Sequence, residues 1–142
     1  MTYRKDWGQP QVGPMGFMGT KKVIGRTVAL TAADLVTGNT VGAFKVPAGF
    51  TVTGGYFVMT DMDSGAALLL SVGDAVLGTR FLSSDTGGQA GATKTAFTTP
   101  VDGTNLYFLY TVDTEILITC TLQGAASVAG TMKVYLEGFM AQ

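Results

Sequence analysis

Apolar and polar residues alternate along most of this chain. In residues 115–122, Ile116, Ile118, Cys120 and Leu122 fall on one side; Glu115, Leu117, Thr119 and Thr121 fall on the other. Residues 131–139 repeat the pattern, with Met132, Val134, Leu136 and Gly138 opposite Lys133, Tyr135, Glu137 and Phe139. A period of two is the strand signature, because successive side chains of an extended chain point to opposite faces. The spacing predicts further strands over 23–30, 40–46, 50–60, 67–72, 79–82, 94–98 and 106–112. In 40–46, Val41, Ala43 and Lys45 share a face. In 50–60 the adjacent Gly54 and Gly55 predict a bulge or bend. Residues 31–39 are the one weakly helical spot, read as a turn or a single helical turn. Residues 83–93, rich in Ser, Gly, Ala and Thr, read as an exposed loop.

Turn residues separate these runs. Pro47-Ala48-Gly49 combines a preset φ with a residue free to take positive φ. Asp102-Gly103 is a hairpin signal. Eight or nine short strands with no convincing helix predict an all-β fold, an antiparallel β-sandwich of jelly-roll-like architecture. An immunoglobulin-like sandwich is the next choice. The sandwich spans residues 23–142. Residues 1–22 form an extended N-terminal arm, since Gly8, Pro10, Gly13, Pro14, Gly16 and Gly19 forbid a long helix or central strand.

Composition adds an interaction reading. Only 13% of the 142 residues are charged, against about a quarter in ordinary domains, while 46% are hydrophobic. A surface so poor in charge suits a component of an assembly. Charge is also unevenly placed. Residues 1–26 hold five basic residues and one acidic, and the remainder holds four basic and nine acidic. A basic arm on an acidic body can dock on an acidic neighbour, including another copy of itself. The arm contains Trp7 and Phe17, and aromatic side chains dominate interface energetics. Its partner-binding candidates are Arg4, Lys5, Trp7, Phe17, Lys21 and Lys22. The basic residues are too sparse, and the body too acidic, for a nucleic-acid partner. No apolar run reaches the ~18–20 residues of a membrane span, and residues 1–13 do not read as a signal peptide.

Candidate chemistry is thin. The chain has no histidine and one cysteine. That removes Ser-His-Asp and Cys-His nucleophiles, the usual zinc sites and any intrachain disulfide. Cys120 reads as a small buried hydrophobe. Asp61-Met62-Asp63-Ser64-Gly65 resembles the start of a calcium loop, but positions 66–72 supply no closing ligands, so an acidic turn is the preferred reading. No spacing selects a pair of carboxylates for glycoside hydrolysis, though Asp113 and Glu115 share a strand face. Trp7, Tyr56, Tyr107, Tyr110 and Tyr135 are candidate sugar-stacking platforms, with core or interface packing the preferred reading. The expectation is a protein that is not an enzyme and has no cofactor or metal.

One stretch carries a resemblance. VPAGFTVTGGYFVMTDMDSGAALLLSVGD is followed by Gly78, Arg80, Phe81 and Leu82 and then by a Ser/Gly/Ala-rich loop. Over residues 44–92 this resembles small structural proteins of tailed bacteriophages, the capsid decoration or cement proteins. The resemblance implies a virion protein on the outer capsid surface, assembled in the host cytoplasm. It would sit there as a dimer or trimer and bridge adjacent subunits of the major capsid protein. No catalytic residues carry over. The alternatives from sequence are a carbohydrate-binding or host-attachment module of a head or tail fibre, a hydrolase of unrecognised type, and a minor tail or neck component.

Overall fold

A computed structural model describes residues 21–96 and 108–140. Nine strands occur among them: β1 (Lys22–Leu30), β2 (Thr40–Val46), β3 (Phe50–Met59), β4 (Leu69–Gly73), β5 (Leu82–Asp85), β6 (Ala92–Thr95), β7 (Phe108–Leu109), β8 (Thr114–Leu122) and β9 (Gly130–Met140). They form two antiparallel sheets. One has the order β1-β9-β3-β6, with β7 also paired to β3; the other has the order β2-β8-β4-β5. Chain neighbours mostly switch sheets, and the first strands pair with the last. This is the double Greek key of a jelly roll, and the jelly-roll expectation is borne out. No helix among the described residues is long and apolar enough to cross a membrane.

The alternation read from sequence decides what faces inward. Met132, Val134 and Leu136 of β9 meet Ile116, Ile118 and Cys120 of β8, all buried. Leu35 closes one end of this core from the 31–39 segment, which is made of hydrogen-bonded turns rather than helix.

Simple alternation fails in β4, where four consecutive residues from Leu70 to Gly73 are buried, and in β3 and β2, each at a bulge. In β3 the register shifts between Val52 and Gly54. Phe50 and Val52 face the core before the shift, and Phe57 and Met59 face it afterwards. The double glycine marked the bulge, and the extra residue swaps the faces beyond it. In β2 the register shifts between Gly42 and Phe44. Ala43, Phe44 and Val46 are therefore all buried, while Lys45 points outward instead of sharing the face of Ala43.

Residues 83–93 correct the loop expectation. They contain most of β5, a 3-10 turn at Gly87–Gln89 and the start of β6. Gly87 and Gly88 are buried, with Met59 beside the first and Leu68 and Met62 beside the second. Small residues here permit close packing rather than mobility. Of the strand expected at 79–82, only Leu82 is extended pairing backbone.

The sandwich has two ends. The Leu30 end carries the 31–39 turns and the 61–65 and 123–129 loops. The Lys22 end carries the 47–49 turn, the 74–81 loop and residues 108–113. Lys22, counted with the arm from sequence, is the first residue of β1.

Candidate interaction surface

At the Leu30 end the acidic turn is a structural latch. Asp63 is 1% exposed. Its Oδ1 accepts the N–H groups of Gly65 (3.0 Å) and Ala126 (3.1 Å), and its Oδ2 accepts those of Ala67 and Leu68 (both 3.0 Å). Asp61 accepts the N–H of Asp63, and Ser64 Oγ donates to the Ala126 carbonyl. These oxygens serve separate backbone partners instead of converging on one centre. The backbone N–H of Ala67 and then that of Ala126 hold the Asp63 carboxyl far below the usual carboxylate range, against the opposing effect of burial. Among the described residues no group of three His, Cys, Asp or Glu side chains is placed to hold a metal ion.

The Lys22 end is built around a second buried carboxylate, Asp74. Its Oδ1 accepts the N–H groups of Val76 (3.0 Å) and Leu77 (2.9 Å), which closes the loop leaving β4. Gly73 is required at that point, because a Cβ there would be driven into the Leu77 carbonyl and the Gly78 backbone. Arg80 Nε donates to Asp74 Oδ2 at 2.6 Å, and the Tyr110 hydroxyl donates to the same oxygen at 2.7 Å. The Arg80 guanidinium lies 3.7 Å from the Phe108 ring centre, and Phe108 meets Tyr110 edge-on at 5.0 Å. Asp74 and Arg80, both from the stretch that carried the resemblance, thus meet Phe108 and Tyr110 in one polar and aromatic cluster. Burial raises the Asp74 carboxyl, but the hydrogen bonds from Arg80 and Tyr110 outweigh it, so it sits below its ordinary value. Burial, then the bond to Asp74, pushes the Tyr110 hydroxyl far above its ordinary value.

Beside this cluster lies a cavity of about 170 Å³, lined by residues that include Val76, Arg80, Phe108, Leu109 and Val112. Its rim is apolar and open: Val76 is 88% exposed, Val112 66% and Leu109 47%. Asp113 adjoins it, exposed, with one oxygen accepting the N–H of Ala48. The glycosidase possibility gains nothing here, since Asp113 lies in the turn before β8 and serves that backbone contact.

Of the arm candidates, Arg4, Lys5, Trp7 and Phe17 lie outside the described residues, as do Tyr107 and the 102–103 turn. Lys21 forms an exposed ion pair with Glu137 at 2.7 Å, and Lys22 opens β1. Lys22, Gly138, Val52 and Phe108 form one cross-strand row through β1, β9, β3 and β7. The root of the arm and the apolar cavity therefore share one end of the sandwich. Sequence reasoning missed the cavity, although Arg80 and Phe81 were marked within the resemblance. Among the tyrosines, Tyr110 is buried, and Tyr56 and Tyr135 stack on each other at 5.0 Å across β3 and β9. Each ring covers one face of the other, which favours packing over a paired sugar platform.

No protein-family model matches the chain, and no curated protein sequence matches it. Solved structures do. The chain resembles one in the cyanophage Pam1 capsid asymmetric unit, with 27% identity, a TM-score of 0.71 and 97% of both chains covered. Its structural neighbours are chains of phage capsids. A second is from the capsid of Ralstonia phage GP4, at 16% identity and TM-score 0.73, covering 88% of this chain and 87% of that one. A third is from the acidic stable capsid of Helicobacter pylori bacteriophage KHP30, at 13% identity and TM-score 0.51, covering 83% and 93%. The last two establish the shared fold. The first extends the likeness over nearly the whole sequence, and with it the resemblance to phage capsid-associated proteins is borne out.

The titrating groups give a pH prediction. Asp63 and Asp74 have folded pKa values below their unfolded ones. The stability they add is complete above about pH 4 and is lost as pH falls through the folded values. Tyr110 works in the opposite direction: its raised value adds stability below about pH 10 that is lost as pH rises further. The chain has no histidine to titrate between these limits. Scanning calorimetry is expected to give a constant Tm from about pH 5 to pH 8, with declines below about pH 4 and above about pH 10. A slope within that window would contradict these assignments.

Proposed function

We propose that this chain is a non-enzymatic structural protein of a phage virion that decorates the outer capsid surface and stabilises it by clamping adjacent major capsid protein subunits. The observation that carries this reading is the likeness to a chain of the Pam1 capsid over 97% of both sequences. The low charge and the apolar rim at the Lys22 end support it. The arm is the first contact element. Arg4, Lys5, Lys21 and Lys22 supply positive charge, and Trp7 and Phe17 supply apolar anchors. The folded body, residues 23–142, is the second. Two modest contacts on one chain bind far more tightly than either alone, because the first raises the effective concentration of the second. Self-association as a dimer or trimer would add further linked contacts.

Deletion of residues 1–20 tests the arm. The truncated protein is expected to retain its β-sheet circular dichroism and to lose co-sedimentation with capsids stripped of the native protein. Full occupancy by the truncated protein would exclude the arm as a contact.

A further inference from the structure

We propose that the edge of β1 accepts an extended acidic segment of the major capsid protein as an added strand. The inference rests on the decoration reading for the source of that segment; the docking site is argued from the edge itself.

The sandwich has four edge strands among the described residues, β1 and β6 in one sheet and β2 and β5 in the other. An edge leaves a row of backbone N–H and C=O groups unpaired, and folded proteins shorten or distort such strands to keep other chains off. Three of these edges are treated that way. β5 and β6 have four residues each, Ser84 of β5 takes a left-handed φ of 44°, and β2 is bulged between Gly42 and Phe44. β1 differs. Its nine residues pair one to one with β9, with no register shift and no proline. At Gly25 the Tyr135 ring lies where a Cβ would stand, so no β1 side chain rises from the outer face there. A regular edge of this length is a template for strand addition.

Charge selects the added strand. Lys22 and Arg26 stand four residues apart on the face shared with Ile24 and Val28, about 13 Å along the strand. Both are half-buried, and neither has an ion pair among the described residues: Lys21 takes Glu137, Arg80 takes Asp74 and Lys94 takes Asp85. β1 carries no acidic residue of its own. Side chains directly opposite across a strand pair are neighbours, so the complementary strand has carboxylates four residues apart, one against each cation. No two carboxylates of this chain stand four residues apart. Neither its N-terminal arm nor a strand of a second copy therefore matches the edge. Pairing of β1 with itself about a two-fold axis sets Lys22 against Arg26 of the other copy in one register, and the two Arg26 side chains against each other in another. The cations thus turn away copies of this chain and admit an acidic strand of a different protein.

Hydrogen exchange on the full-length protein tests the edge without capsids. The probe is a short peptide of alternating valine and threonine with glutamates at two positions four apart; the control peptide carries lysines there. In excess, the glutamate peptide is expected to slow amide exchange within residues 22–30 about tenfold, and the lysine peptide to leave it unchanged. Arg26→Glu is expected to lose the protection. The Lys22→Glu, Arg26→Glu double variant is expected to gain it from the lysine peptide instead. An unchanged Tm for each variant establishes that lost protection is not lost fold. Equal protection by both peptides, or by neither, would overturn the site. So would full protection of residues 22–30 in the free protein, which would mean that the arm or another copy already covers the edge. Self-association of the Lys22→Gln, Arg26→Gln double variant with an unaltered peptide response would reduce the cations to guards against aggregation. The source of the strand has its own readout: the charge-reversed double variant is expected to lose co-sedimentation with stripped capsids, and wild-type occupancy by it would exclude the capsid protein as the donor. Failure of the wild type itself to bind capsids would overturn the decoration reading, a result separate from every peptide outcome.

Discussion

Replacing Asp63 with asparagine lowers the melting temperature by on the order of 10 °C, despite near-identical shape. The reason is the direction of four hydrogen bonds. Both carboxylate oxygens of Asp63 accept backbone N–H groups, three from its own loop and one, Ala126, from the loop before β9. An asparagine keeps one acceptor and turns its NH₂ toward two donors, leaving buried N–H groups unsatisfied and opposed. Met62 extends the same latch, donating to the Gly88 carbonyl and accepting from the N–H of Val128. Gly124 packs directly on the Asp63 carboxyl and leaves no room for a Cβ. Gly124→Ala should therefore reproduce the defect. Thermal unfolding of Asp63→Asn, Asp63→Ala and Gly124→Ala checks this. A shift of only a degree or two in all three would show that the loops do not depend on the carboxylate.

Loss of Asp74 is the second large effect. Asp74→Ala leaves the guanidinium of Arg80, 14% exposed, without its counter-charge and orphans the Tyr110 hydroxyl. Removing one member of a buried pair costs about 3 kcal/mol. Tyr110→Phe removes one hydrogen bond to a charged group and should cost about half as much, about 1.5 kcal/mol. Arg80→Lys should also destabilise, because an ammonium cannot stack on Phe108 while donating to Asp74 in the planar arrangement observed. Urea unfolding of the three variants orders them. Equal, small losses would mean that solvent replaces these contacts without cost.

The legible and illegible parts of this molecule divide along physical lines. Strands β8 and β9 were readable because their pairing is regular, so a period of two maps directly onto burial. The bulge at Gly54 was readable as a bulge, but its effect on which side of Phe57 faces inward depends on the register with β9. Strands β5 and β6 were hidden, since Ser83, Ser84 and Thr93 have small polar side chains whose pairing is imposed by neighbouring strands. Asp63 was visible as an acidic turn residue. Its role was not, because the decisive donor, Ala126, is 63 residues away. The apolar cavity was invisible for the same reason, as it joins the 74–80 loop to residues 108–114 only in the fold. Of the stretch that carried the resemblance to phage structural proteins, Gly73, Asp74 and Arg80 build the polar and aromatic cluster, and their partners Phe108 and Tyr110 lie outside that stretch.

A protein that coats a phage shell is present in many copies per virion. Counting its copies per purified virion, by quantitative mass spectrometry against the major capsid protein, tests that most directly. Hundreds of copies are expected, in fixed ratio to the major capsid protein. A dozen copies or fewer would place the protein at a neck or tail, and none would contradict a virion role altogether.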